Sequence, residues 1–326
     1  MDTPSGAPKP PRSPFDDEDA DLVLRSSDGV DFWVYKTILA KASPVFKDMF
    51  TLPEAHTERQ IVKLDEDAGT LEPLLRLVCP VQRPKFASLR QLRPVLAAAE
   101  KYMMPFVATG LVDTLRTFIE SDPLDVYAIA YSYQMRDVVV VAARQLLKDP
   151  RLASPRSPPP EFDTIPARAL HEISEYLRRC ARAAVDAVED WRWMVRENEA
   201  HAVYVPKRGG VVDQTKAWVW LVCTDAHKHE NTPEIEVFGP ALLAYNPPRW
   251  WWDYIDRLRR ELAIKPLGHL ATDPSNIGLS VKKAASCSTC AQSALRELVE
   301  YGQMLSKRID AATAEVCALM TVSIAQ

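Results

Sequence analysis

Glycine is scarce in this chain, ten residues in 326, where a share of about 7% is usual. None of them falls at GxGxxG or GxxxxGK spacing. That excludes the common loops that bring backbone amides against a phosphate. Long apolar runs are missing too. The longest, Val138 to Ala143, falls far short of the roughly 20 residues that a membrane-spanning helix needs. Met1 to Pro14 lacks the apolar core of a signal peptide, and no asparagine sits in an N-x-[ST] acceptor. The six cysteines are mostly far apart, unlike a disulfide framework. A net charge of -4 with a pI near 5.9 supplies no bulk positive field for nucleic acid or an anionic membrane. These absences point to an intracellular protein, with nucleus and cytoplasm both open.

With 47% apolar and 26% charged residues, the chain has the composition of a folded globular protein. Proline marks its divisions. Residues 1–20 hold Pro4, Pro8, Pro10, Pro11 and Pro14 ahead of the acidic run Asp16 to Asp19, and this Pro/acidic tail has almost nothing to bury. Pro150, Pro155, Pro158, Pro159 and Pro160 leave no room for a helix or central strand, which makes 151–164 a linker. Between lie a body over 21–120 and a helical extension over 121–150. Residues 165–326 form a mainly helical, tryptophan-rich remainder.

The first body opens with a hairpin. Leu22-Val23-Leu24 and Phe32-Trp33-Val34-Tyr35 flank the turn signal Ser27-Asp28-Gly29, and Ile61 to Leu64 reads as a third strand. Thr37 is placed as the cap of a short helix, which Ser43-Pro44 restarts with a cap and a first-turn proline. Ile38, Leu39, Ala42, Val45, Phe46, Met49 and Phe50 share one helical face. Three amphipathic helices come next, one carrying Leu71 to Val78, the others opening at Pro94 and Pro105. Ser121-Asp122-Pro123 then starts a helical pair that turns at Arg136-Asp137.

The run Ile38-Leu39-Ala40-x-x-Ser43-Pro44-x-Phe46-x-x-Met49-Phe50, set after two strands, resembles the BTB/POZ domain. Asp21-Leu22-Val23 is similar to the family's Asp-aliphatic-aliphatic opening, and Lys36 stands where the family carries Arg or Lys. Two positions depart from the pattern. Tyr35 replaces a histidine, and Val78-Cys79-Pro80 replaces a Tyr-x-Gly/Ser turn. The resemblance implies an α+β fold, a three-layer helix cluster with a small sheet, followed by a mainly α second region. The overall layout is similar to that of fungal BTB proteins. The resemblance also implies homodimerisation through the first helices and the N-terminal strand. Asp21 and Lys36 would form a partly buried charged pair near the seam, with Phe46 and Met49 exposed at it. Some family members are cullin-based ubiquitin-ligase adaptors; others are transcriptional scaffolds.

In the second region a long helix runs from Pro166 through Ile173, Tyr176, Cys180 and Val188 towards Trp191 and Met194. Its other face carries Arg178, Arg179 and Arg182, which read as a solvated surface. Trp218 to Val222 reads as a short strand, because alternation and aromatics favour one. Trp250-Trp251-Trp252 opens another helix, in which core packing is the expected role of the rings. The last helix spaces Leu295, Leu298, Gly302, Leu305, Ile309, Ala312 and Val316 as a heptad seam.

No GxSxG, HExxH or calcium-loop motif is present, so nothing in the sequence argues for an enzyme. One constellation carries chemistry. Cys287-x-x-Cys290 at a helix start offers two thiolates to one Zn²⁺. Cys223 with His227 or His229 would complete a Cys₃His tetrahedron, and His227 is the choice because a spacing of four suits a tight loop. The competing reading makes these ordinary loop and cap residues. The sequence therefore describes a non-enzymatic interaction protein that self-associates through its first body. Its second body recruits an unidentified protein, a cullin among the candidates. The alternative is a zinc-stapled nucleic-acid-binding regulator, which the acidic pI disfavours.

Overall fold

A computed structural model describes residues 13–51, 59–149, 158–163, 165–191, 218–223, 233, 235–238 and 242–324. The chain separates into two compact units, Met1–Val139 and Val140–Gln326.

The first unit is built on three strands. β1 (Leu22–Arg25) lies between β2 (Asp31–Val34), its antiparallel hairpin partner, and β3 (Gln60–Lys63), which runs parallel to it. Leu22, Val23 and Leu24 are all buried, as a strand covered on both faces requires. The hairpin turns at Gly29, whose φ of +81° lies where a side chain is strained. Across it, Arg25 donates to both oxygens of Asp31, at 2.6 and 2.8 Å, and the register places the two directly opposite. The Asp28 carboxylate accepts from Ser26 Oγ and from the Ala68 amide, tying the turn to the next helix.

Among the described residues, eight helices surround or extend this sheet. They are α1 (Lys36–Ala42), α2 (Pro44–Met49), α3 (Ala68–Val78), α4 (Leu89–Lys101), α5 (Pro105–Gly110), α6 (Val112–Arg116), α7 (Pro123–Ser132) and α8 (Arg136–Leu146), the last of which runs past the unit boundary at Val139. The Ser43 hydroxyl accepts from the Phe46 amide and donates to the Tyr102 carbonyl at 2.6 Å, so one side chain caps α2 and anchors it to the end of α4. Several expectations change. Thr37 lies inside α1, which begins at Lys36. Pro94 does not start its helix. α4 begins five residues earlier after Ser88 and carries Pro94 inside it. The helix expected from Pro105 breaks at Leu111 into α5 and α6. The turn after α7 falls at Tyr133-Gln134-Met135 rather than at Arg136-Asp137, which begin α8.

Among the described residues the second unit is helical apart from a two-stranded antiparallel ribbon, β4 (Ile235–Phe238) with β5 (Leu242–Tyr245). Its helices are α9 (Ala167–Glu189), α10 (Val219–Val222), α11 (Arg249–Leu262), α12 (Pro274–Ala284) and α13 (Ser288–Ile324). α9 buries Ala169, Ile173, Tyr176, Cys180, Ala184 and Val188 along one stripe and packs against α13. The expected strand at 218–222 is instead the single helical turn α10. Trp218, Val219, Trp220 and Leu221 are all buried, and a strand with one wet face would not bury four in succession.

α13 corrects the heptad seam as well. Leu295 is 57% exposed, while Ala294, Leu298, Tyr301, Leu305 and Ile309 are fully buried. The helix packs through a stripe shifted by one residue at its start. At Gly302 it meets a 3₁₀ turn, Gly268–Thr272. A Cβ on Gly302 would collide with the Ala271 carbonyl, and one on Gly268 with the Ser306 carbonyl. These glycines let two backbones touch, and the contact is secured by Tyr254 Oη donating to Ala271 O at 2.6 Å. Gly302→Ala is therefore expected to destabilise the protein by about 1–3 kcal/mol, the usual cost of overpacking, measured as a lower urea midpoint. An unchanged midpoint would show that this contact has slack.

Candidate functional site

Two sites emerge, one in each unit. In the first, α4 and α7 end in the same way. The Met104 amide donates to Ala99 O at 2.7 Å and the Met103 amide to Glu100 O at 2.9 Å. At the other turn the Met135 amide donates to Ala130 O at 2.8 Å and the Gln134 amide to Tyr131 O at 3.2 Å. Met103 and Gln134 hold φ values of +54° and +55°, so each helix closes on a left-handed residue that is not glycine. The sequences Tyr102-Met103-Met104 and Tyr133-Gln134-Met135 spell this device twice. Between the two turns lies a groove of about 860 Å³, lined by Met103, Met104, Pro105, Val112, Tyr133 and Met135 among others. Met103 is 60% exposed there. Phe106, three residues on, is 47% exposed as well.

The residues expected at a dimer seam are distributed differently. Phe46 is 1% exposed and stacks on Tyr102, with centroids 4.6 Å apart and planes 19° apart. It belongs to the core, where its area is best spent, and not to an exposed interface. Met49 is half-buried on the surface of α2. Asp21 does meet Lys36, but its carboxylate accepts from the Lys36 backbone amide at 2.8 Å. Asp21 itself is exposed, and this contact satisfies an amide in the first turn of α1. Lys36 Nζ lies 6.0 Å from the Phe50 ring centroid.

In the second unit Cys223, Cys287 and Cys290 converge, their sulfurs all within 4.8 Å of one another. Cys223 Sγ is 3.8 Å from Cys287 Sγ, across 64 residues of sequence. Two sulfurs at about 2.3 Å from one tetrahedral ion stand about 3.8 Å apart, so the donor set and its spacing fit a thiophilic metal ion. Cys287 precedes α13, and its carbonyl accepts from the Ala291 amide at 2.9 Å. Cys290 sits in the first turn, where the positive end of the helix favours thiolate. Burial works the other way and pushes the Cys290 thiol upward. The Trp250 indole, buried beside Cys290, favours its thiolate. His227 and His229 lie outside the described residues, as does Met194.

α10 delivers Cys223 to this cluster. Cys223 ends the turn, its amide donating to Val219 O at 2.8 Å. At the other end the Val219 amide donates to Glu297 Oε2 at 2.7 Å, so both ends of α10 are held by α13. Sequence spacing singles out the cysteines, but Glu297 gives no such signal. It lies on a helix among other charges, and only the packing shows it buried, at 4% exposure.

The arginine face of α9 is solvated. Arg178 pairs with Glu175 and Arg182 with Asp186 on the same helix, which leaves little net field for a polyanion.

Residues 14–119 match the BTB/POZ domain family. These residues form a BTB/POZ domain. The match spans the sheet and α1 to α6, and α7 with α8 extends it. BTB/POZ domains are protein-interaction modules, and the first unit is one by this match. No curated protein matches the chain at a significant level. Among the described residues no helix is long and apolar enough to cross a membrane.

Asp21→Ala should cost about 1 kcal/mol, the size of a lost helix-end contact, and not the roughly 3–5 kcal/mol of a broken buried pair. A thermal melt with and without the substitution separates these. Burial holds the Glu297 carboxyl above its ordinary value of 4.5. The folded state then keeps the proton more tightly than the unfolded chain. Its contribution to stability is complete below 4.5 and is lost as pH rises through the folded value. Glu297→Gln keeps an acceptor for Val219 but removes this titration. Urea midpoints at pH about 5 and about 8 should differ less in the variant than in the parent. Equal differences would place Glu297 in water.

Proposed function

We propose that the protein is a non-enzymatic interaction module that self-associates through its BTB/POZ unit and recruits a second protein. The observation that carries this reading is the apolar groove between the Met103 and Gln134 turns. It is framed by the family-matched domain and by the two helices that extend it. Such a groove suits an extended or helical peptide that presents aliphatic or aromatic side chains. By family resemblance, a cullin is the partner we assign to it, which makes the chain a ubiquitin-ligase adaptor. Self-association uses the surface around Met49 and the N-terminal strand, with Phe46 supporting it from the core. The compensated arginines of α9 favour a protein partner over nucleic acid. In the second unit a zinc ion on Cys223, Cys287 and Cys290, with His227 as the fourth ligand, serves as a structural staple.

Light scattering of the full chain tests self-association. Twice the chain mass of 36.6 kDa is expected, and a clean monomer would overturn it. Met103→Glu places a charge in the groove without touching the buried core. It should leave mass and melting unchanged while abolishing capture of a purified cullin N-terminal domain. Capture by both forms would move the partner off the groove, and capture by neither would remove the cullin assignment.

A further inference from the structure

The zinc staple proposed for the second unit bears on its aromatic core, and the inference drawn from it rests on that reading. α10 has four residues, far fewer than a helix needs to persist in water by itself. Yet it carries Trp220, among the largest fully buried side chains of the protein, and follows directly on the buried Trp218. Trp220 stacks on Trp251, with centroids 4.5 Å apart and planes 13° apart. It also meets Tyr301 edge-on at 5.6 Å. Trp218 stacks on Trp220 at 5.1 Å and meets Tyr301 edge-on at 5.2 Å. Trp251 and Tyr301 belong to α11 and α13, so these rings join three segments remote in sequence.

Beside the ring contacts to Tyr301, the two ends of the turn are each fastened to α13. One fastening is Glu297, which receives the Val219 amide. The Ser293 hydroxyl donates to the same carboxyl, yet burial still outweighs both donors and holds the group above its ordinary range. The other is Cys223, held among the thiols of Cys287 and Cys290. Thiol-to-thiol contacts are weak, whereas a metal–thiolate bond is strong and its free energy is shared with the fold it closes. The second fastening therefore decides the position of α10.

We infer that zinc bound by Cys223, Cys287 and Cys290 is the clasp that docks α10 on α13 and seats Trp218 and Trp220 in the aromatic core. The three thiols release three protons to solvent as the ion binds, and no electron changes hands. Occupancy by the metal thus sets whether this core is assembled.

The test uses the full chain under reducing conditions, as purified, after chelation, and after reloading with zinc or cobalt. About one equivalent of metal is expected, and cobalt should give tetrahedral visible bands with thiolate-to-cobalt charge transfer. Chelation should red-shift the tryptophan emission, and zinc should reverse the shift. The shift should shrink in Trp220→Phe, which identifies α10 as its source. Cys223→Ser should show the chelated emission even with zinc present. Cys223→His, which keeps a metal ligand, should restore the loaded emission.

Cobalt bands with an emission indifferent to metal would leave the zinc reading standing and overturn the clasp. Absence of cobalt bands and of metal would overturn both. Should Cys223→Ser and Cys223→His both lose the loaded emission while binding cobalt as the parent does, Cys223 is a packing residue and the clasp fails.

Discussion

The stripe of α13 from Cys290 through Ala294, Leu298, Tyr301 and Leu305 to Ile309 is fully buried, and no helix buries such a stripe unaided. Each stretch of it has a different cover. α9 lies along it, the Gly268–Thr272 turn crosses it at Gly302, and α10 closes its first turns. These covering segments come from places far apart in the chain. The second unit therefore gains most of its order from contacts that close long loops, whose entropy must be repaid by burial. The aromatic cluster supplies much of that burial. Trp220, Trp251, Tyr254 and Tyr301 are among the largest fully buried side chains of the protein.

The first unit solves its problem locally. Its hairpin, its capped α2 and its left-handed helix ends are set by neighbours a few residues away. A few long-range polar contacts hold the pieces in register. Ser43 reaches the Tyr102 carbonyl, and Tyr102 Oη donates to Glu66 at 2.5 Å. Lys101 bridges Asp65 and Glu66 at 2.9 Å each. The end of α4 is thereby tied to the start of α2 and to the loop after β3. The groove beside Met103 inherits its shape from that tie, since Met103 follows Tyr102 directly.

Legibility in the sequence divides along the same line. Strands β1 to β3, the Ser43 cap and the buried face of α3 are legible because their signals are local. Phe46 is legible as apolar at helical spacing. Whether it faces solvent or core depends on Tyr102, 56 positions later, and no local pattern carries that. The Trp218 to Val222 segment misleads because aromatic alternation favours a strand, while the burial of four successive residues and a buried carboxyl at the amide end favour a turn of helix. The cysteines are legible as a set because thiols are rare, and a Cys-x-x-Cys pair seeks further ligands. Glu297, which holds the same turn from its other end, is not. An acid on a helix reads as solvated until packing shows otherwise.

That pairing of a legible thiol with an illegible carboxyl bears on why the site is built as it is. Glu297 is an expensive way to hold one amide, because a hydrophobic residue there would avoid the desolvation penalty. The carboxyl adds direction. It fixes the amide end of α10, so the turn can project Cys223 towards only one part of α13, the first turn with Cys287 and Cys290. Aromatic packing alone would tolerate small rotations of the turn, since stacking energies vary gently with angle. Three sulfurs within 4.8 Å tolerate much less. The buried carboxyl thus aims the amide end of the turn, and the sulfur cluster fixes the end that carries Cys223.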